Sequence, residues 1–194
     1  MKTVIIRYNA GNIRSVDFAL RRMGVSAEIT ADHDKIHAAD KVIFPGVGEA
    51  SSTMNHLQQS GLDQVINELT QPVLGICLGM QLLCNSSDEN NATCLGIINA
   101  HVNKFSSKTM KVPHMGWNRI YDLQSPLFCG IKEGSYVYFV HSYYVTDGNY
   151  TIAKTDYPGP FSAAAQQDNF FATQFHPEKS GEKGERILKN FIKL

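Results

Sequence analysis

The chain has 194 residues, 43% of them hydrophobic and 19% charged, with 18 basic residues balanced by 18 acidic ones. That length and apolar content suffice for a single domain, residues 1–194, with a sizeable core. The zero net charge offers neither the basic surplus of a nucleic-acid binder nor the acidic run of a disordered tail. Arg7 ends the first apolar run too early for a signal-peptide core, and no window reaches the ~18 apolar residues of a membrane span. A soluble, cytoplasmic protein with no membrane partner is expected. Its four cysteines, Cys77, Cys84, Cys94 and Cys129, lack zinc-like spacing and are expected as free thiols.

Thr3 to Tyr8 reads as a buried strand, followed by a tight connection, Asn9-Ala10-Gly11-Asn12, in which Asn12 is suited to cap a helix. Ile13 to Met23 carries Val16, Leu20 and Met23 at helical spacing, and Gly24 ends it. Val25 to Ile29 is a second strand, Asp32 to Ile36 a capped helical turn, and Lys41 to Phe44 a third strand stopped by Pro45. Strand, helix, strand, turn and strand in that order argue for a parallel sheet with covering helices. Pro45-Gly46-Val47-Gly48 follows. Its Gly-x-Gly-x-x-Ser continuation departs from the dinucleotide fingerprint, which leaves an ordinary turn or an anion-binding nest. Ser51 to Thr70 is helical with a break near Ser60-Gly61.

The next stretch, Pro72 to Leu83, organises the rest. Val73 to Ile76 reads as a short buried strand that turns at Cys77 into a helix, with Gly75 and Gly79 on either side. This is a Gly-x-nucleophile-x-Gly elbow with Cys in place of Ser, and its small neighbours let a strained turn close. The corner places the sulfur at a helix N-terminus, a setting that favours a thiolate. Gln81 lies four residues on, on the same helix face.

From Leu95 to Phe175 no long helix is expected. Strand-like runs recur at 97–105, 115–121, 136–146, 150–156, 161–166 and 170–175, separated by turn signals at Asp147-Gly148-Asn149 and Pro158-Gly159-Pro160. This half is expected to be mostly antiparallel, and an amphipathic helix from Glu182 to Ile192 closes the chain.

A nucleophile needs a base, and the base needs an orienting group. His176-Pro177-Glu178 offers both: the carboxylate of Glu178 can hold one ring nitrogen while the other faces Cys77. His-x-Glu is also half of a zinc deaminase signature, but the Pro-Cys-x-x-Cys half is missing, so no metal is expected. The oxyanion of an acyl transfer needs N–H donors, which Leu78 and the Val47-Gly48 turn can supply.

Pro45 to Gly48, Gly75 to Gln81 and Gln174 to Ser180 resemble the class I, triad-type glutamine amidotransferases. Tyr8 to Val16 and Pro113-His114-Met115-Gly116-Trp117-Asn118 are similar to the glutaminase subunits of imidazole glycerol phosphate synthases. The likeness covers essentially the whole chain, although Arg7 and Ala10 depart from the commoner residues. It implies a flavodoxin-like α/β fold: a mixed, mostly parallel sheet flanked by helices, with an antiparallel β-rich C-terminal half. It also implies L-glutamine hydrolysis through a thioester on Cys77, with His176 as base and acid and Glu178 as orienter. No cofactor is implied. Gly46, Gln81, Glu89, Ser142 and Tyr143 would hold the substrate. Asn12, Pro113, Met115, Trp117, His141 and Lys179 would face a (β/α)8-barrel cyclase subunit that receives the ammonia. A glutaminase subunit of another amidotransferase pathway and a stand-alone thiol hydrolase are the alternatives.

Overall fold

Strands buried along their whole length, with successive side chains entering two different cores, set the architecture. In the computed structural model, which describes residues 1–8, 12–108, 110–157 and 159–194, β1 (Thr3–Ile6) sends Val4 and Ile6 to one core and Ile5 to another. β3 (Lys41–Gly46) and β4 (Val73–Cys77) divide in the same way, with Val42, Phe44 and Val73 on one face and Ile43, Leu74 and Ile76 on the other. A sheet buried on both faces needs helices on both faces. Between these strands run α1 (Ile13–Arg22), β2 (Ala27–Thr30), α2 (His33–His37), α3 (Ala50–Ser60) and α4 (Leu62–Asn67). Ile36, Met54, Leu57, Leu62, Val65 and Ile66 carry α2, α3 and α4 onto the first face. Val16, Ala19 and Leu20 carry α1 onto the second.

After β4 come α5 (Leu78–Leu82), β5 (Cys84–Ser87), β6 (Ala92–Thr93) and β7 (Ile98–Lys104). The helix that follows Cys77 is thus only five residues long, and β5 and β6 are additions to the elements expected. β8 (His114–Ile120) and β9 (Ser135–His141) pair antiparallel as a two-stranded unit. β10 (Tyr143–Val145) returns to β7, so the run expected over 136–146 breaks at Ser142. β11 (Thr151–Asp156), β12 (Pro160–Gln167) and β13 (Phe170–Thr173) then join the central sheet, and α6 (Gly181–Lys193) buries Ile187, Leu188 and Phe191 on the second face.

The central sheet has seven strands in the order β11-β12-β13-β4-β3-β1-β2. Pairing is parallel from β13 through β2 and antiparallel from β11 to β13. The late strands are therefore antiparallel among themselves, but β13 runs parallel to β4. β3 continues through Pro45 to Gly46 rather than stopping at Phe44. Its β1 neighbour ends at Ile6, the pairing of β1 with β3 runs only to Ile43, and the carbonyl of Pro45 accepts the Tyr8 hydroxyl. Asn9, Ala10 and Gly11 of the expected connection and Pro158 of the expected turn lie outside the described residues. Ligand sites in such sheets form at the carboxyl ends of the parallel strands, and β4, between β3 and β13, ends there at Cys77.

Candidate active site

Backbone contact holds the elbow. A Cβ on Gly79 would stand 2.1 Å from the Phe44 carbonyl oxygen, and one on Gly46 would stand 2.4 Å from the Gly79 nitrogen. Only glycines let α5 press this closely on β3. The corner itself is strained, with Cys77 at φ 56°, ψ −109°. Cys77 is buried to 7% exposure but opens onto a cavity of about 390 Å³. Val47, Gly48, Leu78, Gln81, Glu89, Pro113, Val140, His141, Ser142, Tyr143, His176 and Lys179 complete its lining.

β13 delivers the base. Its register sets Thr173 beside Ile76, and the chain then runs through His176 into a short 3-10 turn at Pro177–Lys179. His176 Nδ1 donates to Glu178 Oε1 at 2.8 Å, and both side chains are buried. That bond leaves Nε2, which is buried and has no hydrogen-bond partner among the described residues, as the atom free to exchange a proton with the Cys77 sulfur, whose hydrogen bond and charge act on the ring. Burial of the ring opposes its charge. The hydrogen bonds and charges of Cys77 and Glu178 outweigh that and raise His176 to about 10. The ring, set between sulfur and carboxylate, is thereby biased toward its charged form.

The expected substrate contacts fall unevenly. Gln81 is buried, and its Nε2 donates to the Tyr143 carbonyl and to Gln174 Oε1, each at 3.0 Å. Glu89 accepts from Ala50 N at 2.7 Å, and burial raises its pKa despite that bond. Ser142 and Tyr143 line the cavity. Gly46 does not: it is packed behind the elbow against α5.

The residues expected to face a partner divide as well. Met115 and Trp117 are exposed on β8. Pro113 and Lys179 line the cavity, and Lys179 is exposed. His141 is a correction: it is buried to 6% exposure because its Nδ1 donates to the Tyr143 carbonyl at 2.7 Å and its Nε2 lies 3.1 Å from His114 Nδ1. Asn12 is another. Its side chain does not cap α1; it donates to Glu178 Oε1 at 2.5 Å and so helps fix the carboxylate that orients His176.

Three neighbours escaped the sequence reading. Tyr8 is buried close enough to feel the Cys77 charge, and burial first and that charge second push its hydroxyl pKa up. Val140 O lies 3.8 Å from the sulfur. Gln174 Nε2 lies 3.8 Å from it on another side. Gln174 had a detectable signal, since it stands two residues before His176 in an extended run and period two turns both toward one side.

A strained cysteine corner, a histidine held by a carboxylate, and a cavity lined by Gln81, Glu89, Ser142 and Tyr143 fit a thiol-dependent acyl-transfer enzyme. The family model described as "Glutamine amidotransferase class-I" matches residues 4–194. The chain is 62% identical to the imidazole glycerol phosphate synthase subunit HisH of Bacteroides fragilis and 59% identical to that of Bacteroides thetaiotaomicron, covering 100% of both chains in each case. The chain belongs to the class-I glutamine amidotransferases, in the branch of the HisH glutaminase subunits. Among solved structures it is similar to a glutamine amidotransferase at TM-score 0.77 and 17% identity, covering 98% of this chain and 97% of that one. It is also similar to PurLQS from Thermotoga maritima at TM-score 0.73 and 15% identity, covering 99% and 97%. At those identities the likeness is one of fold.

Proposed function

We propose that residues 1–194 act as one cytoplasmic glutaminase domain that hydrolyses L-glutamine to glutamate and ammonia and hands the ammonia to a (β/α)8-barrel cyclase subunit in histidine biosynthesis. The cyclase would use it to form imidazole glycerol phosphate and aminoimidazole carboxamide ribotide. The Cys77 sulfur attacks the side-chain carboxamide carbon, and the C=O electron pair moves onto oxygen. Backbone N–H groups of Leu78 and of the Val47-Gly48 turn receive that oxyanion. The His176 imidazolium, held by Glu178, gives its proton to the nitrogen, and ammonia leaves a γ-glutamyl thioester. His176, now neutral, takes a proton from water as the water attacks, and glutamate and the thiolate separate.

Glu89 suits the substrate's α-ammonium group, and Gln81, Ser142 and Tyr143 supply polar contacts along the same wall. The observation that carries this reading is the meeting in one cavity of Cys77, Leu78 and Gln81 from the elbow, Val47 and Gly48 from the turn after β3, Ser142 and Tyr143 from the β9–β10 junction, and His176. Met115 and Trp117, exposed on the strand whose neighbour Pro113 lines that cavity, support a partner seated beside its mouth. In the complex with the cyclase, Cys77→Ala is expected to abolish glutamine-dependent product formation and to spare formation from added ammonium. Loss of both activities, or retention of both, would count against the reading.

A further inference from the structure

Gln174 has no part in the scheme above, yet it is among the side chains that reach the sulfur. The register that sets Thr173 beside Ile76 brings the next residues, Gln174 and Cys77, abreast where the two strands end. They are 97 residues apart in sequence. Gln174 is fully buried, its backbone N–H is taken by the Ala163 carbonyl at 2.8 Å, and its side-chain amide lies between Gln81 and the sulfur.

The hydrogen-bond network decides which end of that amide faces the sulfur. The Tyr143 carbonyl only accepts, so the Gln81 atom 3.0 Å from it is the nitrogen. The same nitrogen lies 3.0 Å from the Gln174 amide, so the Gln174 atom there is the oxygen. The other end, 3.8 Å from Cys77 Sγ, is the NH2 group. The Tyr143 carbonyl is held from its other side by His141 Nδ1–H, so Gln81 cannot turn without leaving a buried donor or acceptor unpaired.

We propose that Gln174 is a catalytic residue, whose side-chain N–H, oriented by Gln81, stabilises negative charge on the Cys77 sulfur. The inference rests on the reading of Cys77 as nucleophile given above. While the sulfur carries its proton, the S–H points at Val140 O. Once the proton passes from sulfur to His176 Nε2, the Val140 carbonyl only repels the charge, and the Gln174 N–H becomes a charge-assisted donor. The same donor serves when the thioester C–S bond breaks and the electron pair returns to sulfur.

The test is alkylation by iodoacetamide in the full-length chain, followed by peptide mass analysis, with the exposed Cys129 as internal reference for Cys77. Gln174→Leu is expected to lower the Cys77-to-Cys129 rate ratio about tenfold or more, the range for losing a hydrogen bond to a charged group. In the complex it should move the acid limb of the glutamine kcat/KM profile to higher pH and lower kcat more than it changes KM. Gln174→Glu has the same length but, when ionised, no N–H for the sulfur. It is expected to show the same loss and covers the case in which the leucine variant fails to fold. Either variant, folded and with an unchanged rate ratio, overturns the proposal. Retained glutamine turnover in Cys77→Ala would instead overturn the functional reading beneath it.

Discussion

The elbow at Cys77 and the β8–β9 pair both border the cavity, but they are built in opposite ways. At the elbow, backbone meets backbone: Gly46, Gly75 and Gly79 leave no space for a methyl group against α5 and β3. In the pair, alternate residues turn inward, where Ile120, Val137 and Phe139 are fully buried. The others turn outward, leaving Met115 and Trp117 59% and 56% exposed. The difference separates two demands. A nucleophile has to be held in one strained geometry before substrate arrives, whereas a surface suited to a partner leaves apolar side chains without cover, as Met115 and Trp117 are.

That comparison can be broken at several points. The largest effect is expected for Gly79→Ala, whose new Cβ would meet backbone that has nowhere to go. Such overpacking costs roughly 3 kcal/mol or more, which thermal unfolding would register as a fall in Tm of about 10 °C. An unchanged Tm would mean that the elbow is looser than its contacts imply. Trp117→Ala should do the reverse, leaving Tm intact while weakening the cyclase complex. A hot-spot loss of about 2 kcal/mol corresponds to a roughly 30-fold higher Kd, readable by titration. A drop in Tm with unaltered affinity would make Trp117 a structural residue instead.

The smallest effect sharpens the picture at the end of the β8–β9 pair that borders the cavity, where the buried His114 and His141 stand opposite each other. Burial lowers His114 to about 4 and, together with the charges of His114 and His176 and against the Tyr143 hydrogen bond, lowers His141 to about 3. In the unfolded chain both rings titrate near 6.5. Below that pH the unfolded state binds protons that the folded state refuses, so the contribution of this pair to stability is complete above about 6.5 and declines as pH falls toward 4. Replacing His114 with Gln should flatten the decline in Tm over that window. An identical slope in the variant would remove the ring from the explanation.

Much of the architecture was legible because strands and helices write their burial into their periodicity. The fully buried strands read as short apolar runs bounded by turn residues, and α6 reads as a stripe of Ile187, Leu188 and Phe191. β3 was one exception. Pro45 looks like a strand end, and it is tolerated because β1 has already finished beside it. The helix after Cys77 was legible, but its end was not. Helical spacing from Leu78 to Leu83 carries no mark of the point at which β5 captures the chain from Cys84 onward.

What the sequence determined by itself was local. The glycines around Cys77 permit a corner that other residues would block, and His176 with Glu178 two positions later forms a pair that no long-range fold is needed to join. Tertiary structure alone decided what surrounds the sulfur. The parallel register of β13 on β4 brings Gln174 to Cys77, the return of β10 aims the Tyr143 carbonyl at Gln81, and Asn12 turns from helix cap to carboxylate partner. The physical reason is that amides and carbonyls have no preferred partner in sequence. Their hydrogen bonds are chosen by whichever backbone the folded sheet sets within about 3 Å of them.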